Sequence, residues 1–238
     1  MTAAILVTMG KCYMEEYDYE MAYRCFLDAA LQNNADAILN LGIMYLCGSE
    51  VVQQDFVKAF HYLKLDYEMT GKIRTGFDVS EARIEILESL EGKEAYRDYI
   101  EFLINNQEWH YYIVKGEEYR DNGLYPKSVE EEIKCYQEAW KHGVSMGLEC
   151  LAEMYYDGRD VKQDYKKAYE LLQSYDGSAS FTKNRIIGEM YYYGRYLEKD
   201  VGKAVEIFKD INNSDNPWRE YDRDYTLVRE LLGKIEMS

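Results

Sequence analysis

The chain has 238 residues, of which 47% are apolar and 30% charged, so it is able to bury a core and is not a disordered chain. Its 28 basic and 44 acidic residues give a formal net charge of −16. A field of this sign disfavours nucleic acids and anionic membrane surfaces, and it favours a basic partner where the acids are concentrated on one face. A well-solvated soluble surface is the alternative interpretation.

Helices are predicted along the whole chain, because proline occurs only at Pro126 and Pro217 and the apolar periodicity is rarely interrupted. The expected pairs cover 3–16 and 19–32, 35–47 and 55–70, 79–91 and 93–105, 107–122 and 127–142, 145–157 and 164–175, and 181–193 and 200–212. A charged helix over 217–236 is expected to cap them. We therefore predict a single all-α repeat domain over residues 1–238, with units at about 3–32, 35–70, 79–105, 107–142, 145–175 and 181–212.

Two segments of the chain carry one pattern at a fixed spacing. Residues 151–172 and 187–208 share identities that are each 36 residues apart, among them Met154 and Met190, Gly158 and Gly194, Asp164 and Asp200, and Ala168 and Ala204. Residues 41–63 carry the same pattern with one extra residue in the loop. Self-similarity at this period is typical of arrays of stacked helical hairpins, since one hairpin cannot bury its apolar face alone.

Other parts of the chain match the pattern less closely. The copy at 107–142 has Glu132 where the other units have alanine, so looser packing is expected there. The N-terminal unit has a tighter turn around Tyr17-Asp18. Residues 71–105 have helical periodicity without the repeat's other marks. We interpret this irregular segment as a decayed repeat, with an inserted hairpin as the alternative.

The repeated residues have physical roles in a helical hairpin. A glycine at 48, 158 or 194 stands where the first helix is expected to end in a left-handed cap. Asp55, Asp164 and Asp200 then stand where an acid caps the free N–H groups of the second helix. Small residues at 42, 59, 152, 168, 188 and 204 allow the two helices to approach closely.

The pattern G-x-M-Y-x-x-G followed by D-x-x-K-A resembles the Sel1-like branch of the tetratricopeptide family, and the N-terminal unit is similar to the tetratricopeptide pattern itself. The resemblance covers about two thirds of the chain. It implies a right-handed superhelical α-solenoid of stacked antiparallel helix pairs. It also implies a protein that binds another protein in the concave groove lined by the first helix of each pair.

Catalysis is not expected from this sequence. His61, His110 and His142 share no metal-ligand spacing, and no nucleophile or phosphate-binding motif occurs. Nothing distinguishes an acid–base pair among the 44 acids. We therefore predict no enzyme, no metal and no cofactor.

The resemblance places groove-facing side chains one, four and five residues after the small residue of each first helix. In the N-terminal half these are Lys11, Met14, Glu15, Ile43, Leu46 and Cys47. In the C-terminal half they form an acidic and aromatic set, which is the predicted partner-binding site: Glu117, Arg120, Asp121, Glu153, Tyr156, Asp157, Glu189, Tyr192 and Tyr193. Packing of Tyr156 and Tyr192 between neighbouring repeats is the alternative role of these rings.

The expected partner is a protein or peptide segment of basic character, bound by a monomer without nucleic acid and without a membrane span. Two alternatives stay open: a self-assembling structural repeat protein, and a glycan- or peptidoglycan-linked binding protein. The five cysteines are odd in number and lack a C-x-x-C pair, which predicts reduced, mostly buried thiols. The N-terminus is a poor signal peptide, so a cytoplasmic location is expected, with an upstream signal as the alternative.

Overall fold

The computed structural model describes residues 1–74, 79–174, 180–212 and 223–236, and within these ranges the fold is all-α. The helices are α1 Ala3–Glu15, α2 Tyr19–Ala30, α3 Ala35–Cys47, α4 Phe56–Thr70, α5 Val79–Glu88, α6 Leu90–Asn105, α7 Tyr111–Arg120, α8 Val129–Lys141, α9 Met146–Asp157, α10 Tyr165–Gln173, α11 Phe181–Tyr193, α12 Val201–Asn212 and α13 Arg223–Glu236. The prediction of an all-α fold of paired helices is confirmed.

Most helix boundaries lie within two residues of the prediction, and the larger differences have local causes. Helix α6 begins at Leu90 rather than at 93, because the Ser89 side chain accepts a hydrogen bond from the Gly92 N–H and caps the helix earlier. Helix α7 begins at Tyr111 rather than at 107, after Gln107 adopts a positive φ of 70°. Of the predicted capping helix, residues 217–222 lie outside the described part of the chain.

The chain divides into two compact units. The first contains Met1–Glu108 and Asp121–Pro126, and it includes helices α1 to α6. The second contains Trp109–Arg120 and Lys127–Ser238, and it includes helices α7 to α13.

In the first unit, the irregular segment forms the hairpin α5–α6, which joins the repeats through aromatic contacts. The ring of Phe60 on α4 is stacked on Tyr96 at 5.3 Å between centroids and lies 5.2 Å from Tyr99. All three rings are buried. Helix α6 therefore covers the face of α4 that the preceding repeat leaves uncovered.

In the second unit, α13 covers the last hairpin. Val228 and Leu231 of this helix are buried against a cluster on α12 that includes Ala204, Phe208 and Ile211. An end repeat has one apolar face without a neighbouring repeat, and the final helix buries that face.

One set of contacts connects the two helices of a repeat in three of the hairpins. In the hairpin α9–α10, the Asp164 N–H donates to the Tyr155 carbonyl at 2.8 Å, and the Asp164 carboxylate accepts from the Lys167 N–H at 2.9 Å. The Lys167 ammonium lies 3.9 Å from the centroid of the Tyr155 ring. The same arrangement recurs in Tyr45, Asp55 and Lys58, and in Tyr191, Asp200 and Lys203. In the D-x-x-K motif, the aspartate therefore caps the second helix, and the lysine side chain contacts a tyrosine ring on the first helix.

Small residues allow close approach between the helices of a pair. A Cβ built on Gly188 of α11 would lie 2.3 Å from the Phe208 ring on α12. A Cβ on Gly116 of α7 would lie 2.6 Å from the Tyr136 ring on α8. The expectation of looser packing in the copy that contains Glu132 is therefore wrong, because the Glu132 carboxylate is paired with Arg159 at 3.0 Å.

The structure also tests the prediction that the cysteine thiols are mostly buried. Cys25 and Cys135 are buried and Cys150 is half-buried, but Cys12 and Cys47 are exposed, so the prediction of mostly buried thiols is wrong for these two.

In the described ranges, none of the helices combines the length and the apolar character that crossing a membrane requires.

Candidate functional site

The structure places eight of the nine predicted site residues on the first helices α7, α9 and α11 of the second unit. We call these residues the first-helix surface: Glu117, Arg120, Glu153, Tyr156, Asp157, Glu189, Tyr192 and Tyr193. The ninth, Asp121, belongs to the first unit, where its carboxylate lies 3.6 Å from the Arg83 guanidinium. Helices α9 and α11 lie side by side, so residues of successive repeats are brought together.

Arg185 is at the centre of the surface, although the sequence analysis did not select it. Its side chain is only 3% exposed. Its guanidinium donates at 2.7 Å to Glu153 on α9 and at 3.0 Å to Glu189 on its own helix. The i,i+4 spacing of Arg185 and Glu189 is a signal that sequence reasoning missed. The pair of contacts connects two repeats through one buried cation.

Tyr156 was expected to be exposed in the groove, and this expectation is wrong. Its side chain is 2% exposed and packs in a cluster with Ala168, Leu172, Ile186 and Met190. The ring fills the space between successive hairpins, so it has the packing role that was the alternative at this position. Leu46, four residues after the small residue of its own repeat, is fully buried for the same reason.

The hydroxyl of Tyr156 joins the same polar network. It donates to the Glu189 carboxylate at 2.8 Å and accepts from the Arg195 guanidinium at 2.9 Å. Burial and the nearby Glu189 carboxylate raise the pKa of Tyr156 well above its usual range, so the hydroxyl remains protonated. Within this network, two carboxylates and two guanidiniums are held in fixed positions.

Aromatic rings surround Arg195 at the edge of this network. Its guanidinium lies 4.4 Å from the Tyr193 centroid and 5.4 Å from that of Tyr165. The Tyr193 ring is 47% exposed, and it makes an edge contact with Tyr192 at 4.8 Å. Tyr192 itself is half-buried against the Phe208 cluster. Tyr193 is therefore the aromatic residue that this surface presents to solvent.

The acids of the surface differ in how far they are neutralised. Glu117 lies 3.6 Å from Arg120 on the same helix. Burial, with Glu117, Glu153 and Glu149 nearby, raises the pKa of the Cys150 thiol to about 12. Asp157 is exposed and forms no ion pair with the described residues. Asp157 therefore remains available to an external cation.

The remaining predicted groove positions lie in the first unit. Lys11, Glu15 and Cys47 are exposed, and Met14 and Ile43 are half-buried. In the described ranges, no group of three or more His, Cys, Asp or Glu side chains is placed to hold a metal ion.

Comparisons with known proteins match this architecture. The Sel1 repeat matches four segments, residues 8–34, 35–65, 151–174 and 186–209. They include the N-terminal unit, whereas the copy predicted at 107–142 lies outside them. The comparison with curated proteins gives no match.

Two solved structures share the fold. One is a protective antigen present in uropathogenic Escherichia coli strains displaying an SLR fold, with 22% identity and a TM-score of 0.53 over 90% of this chain. This chain spans 47% of the length of that protein. The other is a Sel1 repeat protein from Oxalobacter formigenes, with 21% identity and a TM-score of 0.50 over 90% of this chain and 87% of that one.

Proposed function

Since the chain contains four segments that match the Sel1 repeat, we propose that it is a non-catalytic scaffold or adaptor that binds a segment of another protein on the first-helix surface. Sel1 repeats generally mediate protein–protein interaction. The fold leaves the partner open, because recognition depends on side chains that differ between repeat proteins. The proposal therefore rests on the chemistry of the residues that α7, α9 and α11 present.

The observation that carries the proposal is the fixed position of the exposed Tyr193 ring against Arg195, at the edge of the Arg185 network. Tyr193 lies against Arg195, and Arg195 is hydrogen-bonded to the buried Tyr156. An exposed ring that is already held in place loses little side-chain entropy when a partner covers it. Tyrosine is also among the residues that contribute most to binding free energy at protein interfaces.

The charge of the surface supports a partner segment of basic character. The chain has a net charge of −16, and Asp157 is exposed without an ion pair among the described residues. The guanidinium of Arg195 already lies over the Tyr193 ring, which shows that this ring accepts a cation. A lysine or arginine of the partner would contact Asp157 while an adjacent apolar side chain packs on Tyr193.

The test is a binding titration with defined peptides. Extended peptides with lysine and arginine around apolar residues are titrated into the labelled protein, and peptides with glutamate in place of the cations serve as the reference. We expect binding of the basic series only. Tyr193→Ser is expected to weaken that binding about tenfold, which corresponds to about 1.4 kcal/mol.

The matched control is Tyr196→Asn. Tyr196 is as exposed as Tyr193 but lies in the turn after α11, and asparagine tolerates its positive φ of 62°. Equal affinity of the wild type and of Tyr193→Ser, at matched thermal stability, would exclude the first-helix surface as the site. A protein that elutes as a large oligomer and binds no peptide would favour the self-assembling alternative.

A further inference from the structure

Arg195, at the edge of the first-helix surface, is a cation without a carboxylate partner among the described residues. The hydrogen bond that its guanidinium makes within the described part of the chain runs from Nη1 to the Tyr156 hydroxyl, at 2.9 Å. An arginine side chain has five N–H donors. The Arg195 side chain is half-buried, and its Nε and Nη2 atoms are not enclosed by the protein. These two nitrogens therefore present unused donors to solvent.

Three tyrosine rings and the backbone hold this guanidinium in place. The guanidinium lies 4.4 Å from the ring centroid of Tyr193, 5.4 Å from that of Tyr165 and 5.5 Å from that of Tyr156. The backbone N–H of Arg195 donates to the Met190 carbonyl at 2.9 Å. A guanidinium that lies against aromatic rings still has N–H groups along its edge, and these match a carboxylate in geometry.

The preceding repeat shows which partner an arginine takes at this position. Arg159 stands 36 residues before Arg195, and its guanidinium lies 3.0 Å from the Glu132 carboxylate. The residue 36 positions after Glu132 is Ala168, which is fully buried. The second of these repeats therefore has the arginine without the acid that pairs with it in the first.

The acids of the Arg185 network are already bound to other donors. One oxygen of Glu189 accepts from the Arg185 guanidinium at 3.0 Å, and the other accepts from the Tyr156 hydroxyl at 2.8 Å. Glu153 accepts from Arg185 at 2.7 Å. These contacts leave the Nε and Nη2 groups of Arg195 for an acceptor outside the chain. A carboxylate is the acceptor that arginine binds most strongly, through two parallel N–H···O bonds.

We propose that Arg195 is a second anchor of the first-helix surface and binds an aspartate or glutamate of the partner segment, which rests on the proposed function of this surface. The partner's carboxylate accepts from the Nε and Nη2 groups of Arg195. A neighbouring apolar residue of the segment packs on the Tyr193 ring, which lies against the same guanidinium. The partner segment is therefore basic overall and has one acid close to the apolar residue that covers Tyr193.

The probe is a set of peptides derived from the basic series that binds the wild type. One glutamate is placed in turn at each position up to three residues before or after the apolar residue. A reference peptide has glutamine at the same position, which keeps the shape without the charge. Dissociation constants for the full chain are measured by fluorescence anisotropy. At one position we expect glutamate to bind about fivefold more tightly than glutamine, although it lowers the positive charge of the peptide.

Two variants test whether Arg195 causes this preference. Arg195→Met removes the guanidinium and keeps an unbranched side chain among the rings, and we expect the preference for glutamate to disappear. Lys199→Met is the matched control, because Lys199 is an exposed cation of the same loop and its loss changes the net charge equally. The preference is expected to persist in this control. A general loss of affinity weakens both peptides of a pair, so the ratio of their dissociation constants isolates the contact with the acid.

The outcomes separate the role of Arg195 from the proposed function. Equal binding of glutamate and glutamine peptides at every position overturns this role, and the proposed function stands if the basic peptides still depend on Tyr193. A preference for glutamate that persists in Arg195→Met, or that disappears equally in Lys199→Met, also overturns it. A chain that binds none of the peptides, with or without the acid, contradicts the proposed function and the role of Arg195 together.

Discussion

The guanidinium of Arg159 lies 3.0 Å from a carboxylate oxygen of Glu132, across the boundary between two hairpins of the second unit. Glu132 on α8 is fully buried, at a position that is alanine in the three clearest repeats. Its second oxygen is buried without a hydrogen bond from the described residues. Arg159, in the turn after α9, therefore compensates a charge that would otherwise prevent close packing.

Removal of Arg159 is predicted to cost more stability than removal of Glu132. Arg159→Ala leaves a buried, uncompensated carboxylate and is expected to lower the free energy of unfolding by about 3 kcal/mol, since breaking a buried pair is costly. Glu132→Ala restores the residue that the other repeats have and is expected to cost about 1 kcal/mol or less. Urea denaturation of both single variants measures the difference.

The double variant Glu132→Ala/Arg159→Ala is the control for this prediction. Without the carboxylate, the loss of the arginine leaves no buried charge, so the double variant is expected to be more stable than Arg159→Ala alone. A double variant whose loss equals the sum of the two single losses would show that the ion pair is not the reason for the effect.

Close approach in the last repeat gives a second prediction. Gly188→Ala places a Cβ 2.3 Å from the Phe208 ring, and the resulting overpacking is expected to cost about 1–3 kcal/mol. Gly233→Ala on α13 meets nothing within 4 Å and is expected to stabilise the helix by about 0.5–1 kcal/mol. The melting temperatures of the two variants should shift in opposite directions. A shift of both in the same direction would contradict the close packing of Gly188 against Phe208.

The repeated aspartate gives a third prediction. Asp164 caps α10 by accepting from the Lys167 N–H, so Asp164→Ala is expected to cost about 1 kcal/mol. Asp164→Asn keeps the acceptor and is expected to cost clearly less, although it loses the charge. Equal losses in the two variants, measured by urea denaturation, would assign the effect to charge rather than to capping.

Thiol reactivity follows from the placement of the cysteines. Burial and neighbouring acids raise the pKa of Cys150 to about 12, so at mildly alkaline pH this thiol remains protonated and unreactive. Cys12 and Cys47 are exposed and are expected to be alkylated first by iodoacetamide. Peptide mass mapping over time gives the order, and early labelling of Cys150 would contradict its half-buried position on α9.

The fold could be predicted because residues that are close together in sequence determine where the helices of a repeat begin and end. Gly158 and Gly194 end their helices with φ values of 70°, and Asp164 and Asp200 cap the next helices as expected. These roles depend on residues a few positions apart, which periodicity and capping rules resolve.

The candidate site was harder to predict from the sequence, because the exposure of a side chain depends on how successive hairpins pack against each other. Tyr156 and Tyr193 are both four or five residues beyond a small residue, yet one is buried and the other is 47% exposed. Arg185 also pairs with Glu153 of the preceding repeat, and Arg195 donates to the Tyr156 hydroxyl. Contacts of this kind connect residues more than 30 positions apart and leave no local pattern.

The most direct test of the proposed interaction uses a photo-crosslinking amino acid at position 193, with position 196 as the matched control. Each variant is irradiated with the basic peptides that bind the wild type, and the crosslinked products are mapped by mass spectrometry. We expect crosslinks from position 193 to the apolar peptide residue next to a lysine or arginine, and few crosslinks from position 196. Equal crosslinking from both positions, or crosslinking from 196 alone, would contradict the first-helix surface as the binding site.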